Sequence, residues 1–227
     1  VAFPELCVTG YTCGDLFAQE VLLKEARAAL HKIARHTKGK DALIFVGVPV
    51  AVEGKLYNVA AALNQGKILG LTTKSFLPNY GEFYEMRQFT EGPSAAREIL
   101  FDGEKMPFGP QLLFVADSME SLVVSAEICE DAWSSVPPSI EAAREGAVII
   151  ANCSASDETV GKSTYRRNLI EGQSARLICG YLYANAGEGE STTDLVFGGH
   201  NLIAENGSGL KEGRRFENGV IYTEIDI

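Results

Sequence analysis

The stretch Ser125-Ala126-Glu127-Ile128-Cys129-Glu130-Asp131-Ala132-Trp133 holds a cysteine followed at once by two acids and then the only tryptophan of the chain. Ser121-Leu122-Val123-Val124 precedes it and reads as a buried strand, so Cys129 is predicted where a strand ends and the chain turns. Sharp strand-end turns are where α/β enzymes present nucleophiles. The plainer alternative is a small buried apolar side chain, which is what most free cysteines are. Two other stretches supply chemical partners. Phe3-Pro4-Glu5-Leu6-Cys7-Val8-Thr9-Gly10-Tyr11 sets Glu5 just before a Gly-containing turn. Thr73-Lys74-Ser75-Phe76-Leu77-Pro78-Asn79-Tyr80-Gly81-Glu82-Phe83-Tyr84-Glu85 sets Lys74 at the close of a strand and the opening of an aromatic loop.

Composition narrows the classes. With 227 residues and 46% hydrophobic content, the chain is long enough for one large domain with its own core. No run sustains the ~20 apolar residues of a membrane span. A net charge of −10 argues against a nucleic-acid surface, whose affinity comes from Lys and Arg, and points to a small ligand. Five cysteines without C-x-x-C spacing imply reduced thiols and a cytoplasmic protein, with no disulfide framework or zinc site. Of the histidines, His31 and His36 fall on a predicted surface helix, leaving only His200. The general base is therefore sought among carboxylates. No phosphate-cradling motif and no signal peptide is present, and the abrupt opening Val1-Ala2-Phe3-Pro4 reads as part of a longer protein.

Periodicity predicts an amphipathic helix over 18–37 with Val21, Leu22, Ala26, Ala29, Leu30 and Ile33 on one face, and Gly39 as its stop. A central strand is expected over 42–49, then a hairpin over 56–63 and 67–73 turning at Asn64-Gln65-Gly66, which delivers Lys74. The segment 79–110 reads as a long loop, rich enough in Gly and Pro to serve as a mobile lid. Strands over 111–116 and 121–128 lead to Cys129; a short helix over 138–145, a strand over 147–152 and a helix over 164–179 with Leu169, Ala175 and Ile178 inward follow. Strands over 181–186, 194–197, 200–204 and 220–225 complete an α/β single domain.

In order, the FPE segment at Glu5, the K-x-x-L-P segment at Lys74 and the ICED segment at Cys129 resemble the Glu-Lys-Cys triad of the nitrilase superfamily. Leu77 to Glu85, Asn152-Cys153-Ser154-Ala155-Ser156 and Gly187-Glu188-Gly189-Glu190-Ser191-Thr192-Thr193-Asp194-Leu195 are similar to the glutaminase domain of glutamine-dependent NAD synthetases. The resemblance implies an α/β fold of the four-layer α-β-β-α type, with residues 1–227 as the glutaminase domain, lacking a first strand and a following synthetase domain. It implies Glu82 as the additional glutamate beside the lysine, and Tyr80, Glu130, Trp133, Ser156 and Lys162 as glutamine contacts. Further implications are a homo-oligomer, no cofactor in this domain, and ATP and Mg used only by the synthetase domain to make NAD from its deamido precursor.

A cysteine attacks as thiolate, its ordinary pKa is roughly 8.5, and the adjacent Glu130 and Asp131 disfavour that charge. The scheme the residues favour has Glu5 take the thiol proton during attack and return it to the leaving amine. Lys74 then supplies the cation that the carbonyl oxygen needs as it becomes an oxyanion. Cys7, Cys13, Cys153 and Cys179 are read as structural. Two other readings stay open: a free-standing nitrilase-family amidase acting on another small amide, and an inactive domain that keeps the fold for interactions only.

Overall fold

The computed structural model describes all 227 residues. The apolar run after Asp41 forms β1 (Ile44–Val52), and Gln65 and Gly66, both with positive φ, turn β2 (Lys55–Asn64) into β3 (Lys67–Thr73). Together with β4 (Arg97–Phe101) and β5 (Glu104–Gly109) they make a five-stranded sheet ordered β1-β2-β3-β5-β4. The second sheet contains β6 (Leu113–Ala116), β7 (Met119–Ile128), β8 (Ile149–Ser154), β9 (Gly180–Asn185), β10 (Leu202–Glu205) and β11 (Ser208–Glu212). Its order is β11-β10-β9-β8-β7-β6, with β7, β8 and β9 mutually parallel and their carboxyl ends at one edge.

Helix α1 (Glu20–His36) lays Ala26, Leu30 and Ala34 on the outer face of the first sheet, against Val46, Val48 and Val50. Complete burial of a side chain such as Leu30 contributes about 1.5–3 kcal/mol. Between the sheets lie Phe45, Ala60 and Ala62 from one side and Ala126, Ile128, Cys129, Ala151 and Cys153 from the other. Helices α2 (Pro138–Arg144) and α3 (Lys162–Leu177) cover the second sheet through Ala142, Ile170, Tyr181 and Tyr183. The layers therefore run α-β-β-α, as expected.

Four expectations fail. The supposed lid over 79–110 contains the β4–β5 hairpin, which joins the sheet through a parallel pairing of β5 with β3. Its signal was present: Ile99, Phe101, Met106 and Phe108 alternate and are buried, around an Asp102-Gly103 turn with positive φ at both residues. Helix α3 turns a polar face inward, namely Arg166, Gln173 and Ser174 with Ile170, while Ala175 is exposed and Ile178 is 77% exposed at the helix end. Apolar periodicity misassigns such a face because its buried polar atoms are satisfied by other elements, as in Gln173 Nε2 to Ser139 Oγ and Gly207 N to Ser174 Oγ. Finally, 220–225 forms no strand, and 194–197 contributes only a bridge from Phe197 to Asp157, whereas β11 had not been anticipated.

Residues 1–8 run beside the free edge of β1, with Phe3 N donating to Phe45 O at 3.0 Å and Val8 N to Gly47 O at 3.1 Å. This close approach requires glycine at 47. An added Cβ would lie 2.3 Å from Leu6 N and 2.4 Å from Pro4 O, both backbone atoms that cannot rotate away. Gly172, inside α3, has no neighbour within 4 Å of such a Cβ. Gly47→Ala is therefore expected to destabilise by about 1–3 kcal/mol, the usual cost of overpacking. Gly172→Ala should stabilise by about 0.4–1 kcal/mol through the unfolded chain. Urea melts of both variants check the pair, and equal signs would refute this packing.

Candidate active site

At the carboxyl end of β7 the backbone changes from extended at Ile128 to left-handed at Cys129, φ 45°, and enters a 3-10 turn over Cys129–Trp133. A non-glycine residue held there costs of order 1–3 kcal/mol and needs neighbours that fix it. Asp131, fully buried, supplies much of that. Its Oδ2 accepts from Ile128 N at 2.9 Å, and its Oδ1 accepts from Ser75 N at 3.0 Å and Phe76 N at 2.9 Å. One carboxylate thus ties the turn after Lys74 to the turn that carries Cys129. Burial, then Glu127, push Asp131 up to about 8, against the donors from Ile128 and Phe76. The sequence reading treated Asp131 only as a charge unfavourable to a thiolate; its larger part is geometric.

Lys74, 1% exposed, follows β3 directly, and its Nζ donates to Glu5 Oε1 and to Glu85 Oε1, each at 2.6 Å. Burial alone would depress the ammonium, but Glu5 and Glu85 outweigh it and hold Lys74 well above its ordinary value. Asn58 Nδ2 also donates to Glu5 Oε1 at 2.6 Å, and the Tyr11 hydroxyl donates to Glu85 Oε1 at 2.7 Å. Burial raises Glu85 to about 7, with Lys74 opposing and Glu5 reinforcing the shift. The second oxygens, Glu5 Oε2 and Glu85 Oε2, are buried without a partner.

The additional glutamate beside Lys74 is thus Glu85, not Glu82. Glu82 is exposed and lines a cavity of about 200 Å³, shared with Tyr11, Phe83, Glu85 and Gln88. The loop after Pro78 makes a full turn, Phe83 N to Tyr80 O and Glu85 N to Pro78 O, which folds the later acid back onto the lysine. Linear spacing did not show that turn.

The remaining predicted residues gather around the same strand ends. Tyr80, 59% exposed, donates its hydroxyl to Glu130 Oε1 at 2.9 Å. Trp133 stacks on Tyr165 with centroids 5.3 Å apart, and Lys162 Nζ lies 5.5 Å from the rings of both Trp133 and Phe83 while pairing with Asp157. Ser156 is buried and pinned: its N–H donates to Asn185 Oδ1 at 2.7 Å, and its Oγ accepts from Arg166 Nη2 at 3.1 Å. Arg166, missed in the sequence, is fully buried and also holds Glu158, His200 and the Asp157 carbonyl. Within Gly187 to Leu195, Glu190 accepts from Tyr11 N at 2.7 Å and Thr12 N at 2.9 Å, stapling the turn after Glu5. No group of three or more His, Cys, Asp or Glu side chains is arranged to hold a metal ion, and no helix is long and apolar enough to cross a membrane.

Comparison with known proteins identifies the family and the fold. Residues 1–227 match the carbon-nitrogen hydrolase family. The glutamine-dependent NAD(+) synthetase of Mycobacterium tuberculosis is 41% identical over 225 residues, covering 99% of this chain and 33% of that protein. The chain thus spans about a third of the length of this curated relative. Among solved structures, a glutamine-dependent NAD(+) synthetase from Cytophaga hutchinsonii superposes with TM-score 0.84 and 32% identity, covering 94% of this chain and 34% of that one. A mutant amidase of the nitrilase superfamily from Nesterenkonia shares the fold at TM-score 0.70 and 21% identity, covering 94% of this chain and 72% of that one.

Cys129 lies in the field of the charged cluster. Burial pushes its thiol well above the ordinary range, the Glu5 carboxylate adds to this, and Lys74 opposes both. The shift favours a protonated thiol at rest. Ultraviolet thiolate absorbance, taken as wild type minus Cys129→Ser, is expected to be absent from pH 7 to 8 and to appear only above the unshifted cysteine value of 9.0. A thiolate signal at pH 7 would mean that Lys74 dominates instead.

Proposed function

The chain belongs to the carbon-nitrogen hydrolase family, and from that premise we propose that it hydrolyses the side-chain amide of glutamine through a thioester on Cys129. The observation that carries this reading is the buried Lys74 ammonium held between Glu5 and Glu85 at 2.6 Å each, beside a buried thiol and an unpartnered Glu5 Oε2. Glu5 Oε2 has a free lone pair where a proton must go. As Sγ bonds to the amide carbon, its proton passes to Glu5, and the carbonyl oxygen takes the electron pair as an oxyanion facing Lys74. Glu5 then returns the proton to the departing nitrogen, ammonia leaves and the thioester remains. Water, deprotonated by Glu5, attacks the thioester; collapse frees glutamate and the thiol is reprotonated.

Lys74 serves this chemistry because it is a full cation with no water around it, and such preorganised charge is worth more there than in bulk. Glu85 keeps it charged and aimed. Tyr80, Glu130, Trp133, Ser156 and Lys162 are proposed to form the glutamine site, with Glu130 and the ring faces toward the α-ammonium and Lys162 toward the α-carboxylate. The ammonia is proposed to feed the ATP- and Mg-dependent amidation of deamido-NAD in a synthetase domain of the same protein, in the cytoplasm and within a homo-oligomer. No cofactor is required of this domain.

Cys129→Ala should abolish ammonia release from glutamine. Lys74→Met should lower kcat by about 10²–10³, the usual loss of an oxyanion donor, and Glu5→Gln by about 10²–10⁴. Glu85→Gln should fall with them, whereas Glu82→Gln should stay within about twofold, as a surface change does. Assays with glutamine and with simple aliphatic amides decide the substrate: a preference for the simple amides would replace glutamine in this reading.

A further inference from the structure

Four buried side chains beneath the Cys129 turn take no part in the chemistry above: Asn152, Tyr181, Glu127 and Ser139, none more than 2% exposed. Glu127 on β7 is in register with Asn152 on β8, and Tyr181 comes from β9, so three adjacent parallel strands contribute to one line. Cys129 N donates to Asn152 Oδ1 at 3.1 Å, Asn152 Nδ2 donates to Tyr181 Oη at 3.2 Å, and the Tyr181 hydroxyl donates to Glu127 Oε1. Ser139 N donates to Glu127 Oε2 at 2.9 Å.

Both ends of this line are backbone N–H groups, which only donate. Between them every group must be oriented so that the donations run to an acceptor, and Glu127 in its ionised form, which burial opposes and the donors Tyr181 and Ser139 favour, is the one member with no hydrogen to give. We propose that Glu127, Tyr181 and Asn152 are positioning residues for the nucleophile: they form a one-way hydrogen-bond relay that fixes the Asn152 amide so that its oxygen receives Cys129 N–H and holds the left-handed turn. Glu127 obliges Tyr181 to donate, the Tyr181 oxygen then takes an Asn152 hydrogen, and the Asn152 oxygen is left facing Cys129. The inference rests on Cys129 being the nucleophile proposed above, but not on the identity of the amide.

The relay makes a prediction that simple packing does not. In Glu127→Gln the Ser139 N–H must face the glutamine oxygen, so the new NH2 faces Tyr181. Tyr181 then donates toward Asn152, whose amide flips, and its NH2 confronts Cys129 N–H, donor against donor. Adding Asn152→Asp should repair this, because an aspartate accepts from both Tyr181 and Cys129 and becomes the new terminus. Asn152→Asp alone leaves two carboxylates competing for one tyrosine hydrogen.

The test measures kcat and KM for ammonia release from glutamine in the full-length protein, with thermal melts to verify folding. Glu127→Gln should lower kcat by about 10²-fold with KM within about threefold, as expected for a small misplacement of a reacting group. Glu127→Gln with Asn152→Asp should regain at least about tenfold of that loss, a coupling of the size seen for residues in one network. A Glu127→Gln enzyme with wild-type kcat, or a double variant no faster than the slower single one, would overturn the relay. If Glu127→Gln does not fold, Tyr181→Phe takes its place: a kcat loss at unchanged KM supports the relay and wild-type kcat overturns it. Cys129→Ala separates the two readings, since turnover surviving in that variant would overturn the nucleophile itself.

Discussion

A lysine ammonium buried between two carboxylates governs this molecule. Lys74, Glu5 and Glu85 share one dry site, and none of the three charges is tolerable there alone. Removing one partner from such a pair typically costs 3–5 kcal/mol, about what the loss of a large core side chain costs, because the charge left behind has no water to turn to. Two acids against one base leave an excess of negative charge when both are ionised. Glu85, pushed up to about 7, is where the structure relieves that excess near neutrality.

The fold brings these groups together from remote parts of the chain. Glu5 comes from the turn that follows a segment clamped to the edge of β1, Lys74 from the end of β3, and Cys129 from the end of β7 in the other sheet. Glu85 comes from a loop turned back on itself. No single element could hold them to the tenths of an ångström that catalysis demands. Short polar staples do so: Asp131 between the Lys74 and Cys129 turns, Asn58 on Glu5, and Glu190 on the turn after Glu5. The layer between the sheets combines small side chains, Ala60, Ala62, Ala126, Ala151 and Cys153, with Phe45 and Ile128.

Glu5, Lys74 and Cys129 were singled out by the resemblance of their three segments to the Glu-Lys-Cys triad, while their neighbours alone marked strand ends only at Lys74 and Cys129. The helix α1, the β2–β3 hairpin and the strand before Cys129 were legible because local periodicity and turn residues agree with the final fold. Glu85 was not, since choosing it over Glu82 requires the turn over Tyr80–Phe83 that only the folded loop displays. The inward face of α3 was hidden because Arg166, Gln173 and Ser174 are buried by hydrogen bonding rather than by hydrophobicity. The β4–β5 hairpin was missed for another reason, as the Gly and Pro content of the segment outweighed a clear alternation in the reading.

The resting thiol follows from this construction. A thiolate at Cys129 would be the reactive species toward any passing electrophile or oxidant, and oxidation beyond the sulfenic state is difficult to reverse. Burial and Glu5 favour the proton on sulfur, and Lys74, which opposes them, remains a cation whose field is offset by two carboxylates. In the reaction proposed above, the balance changes when an amide carbonyl lies between thiol and ammonium. In that scheme its oxygen offers Lys74 an acceptor as the sulfur attacks, and Glu5 Oε2, which has no other partner, is the atom proposed to take the thiol proton. On this proposal, the same burial that disfavours the free thiolate confines the reactivity of Cys129 to the moment when a bound substrate completes the circuit of charges.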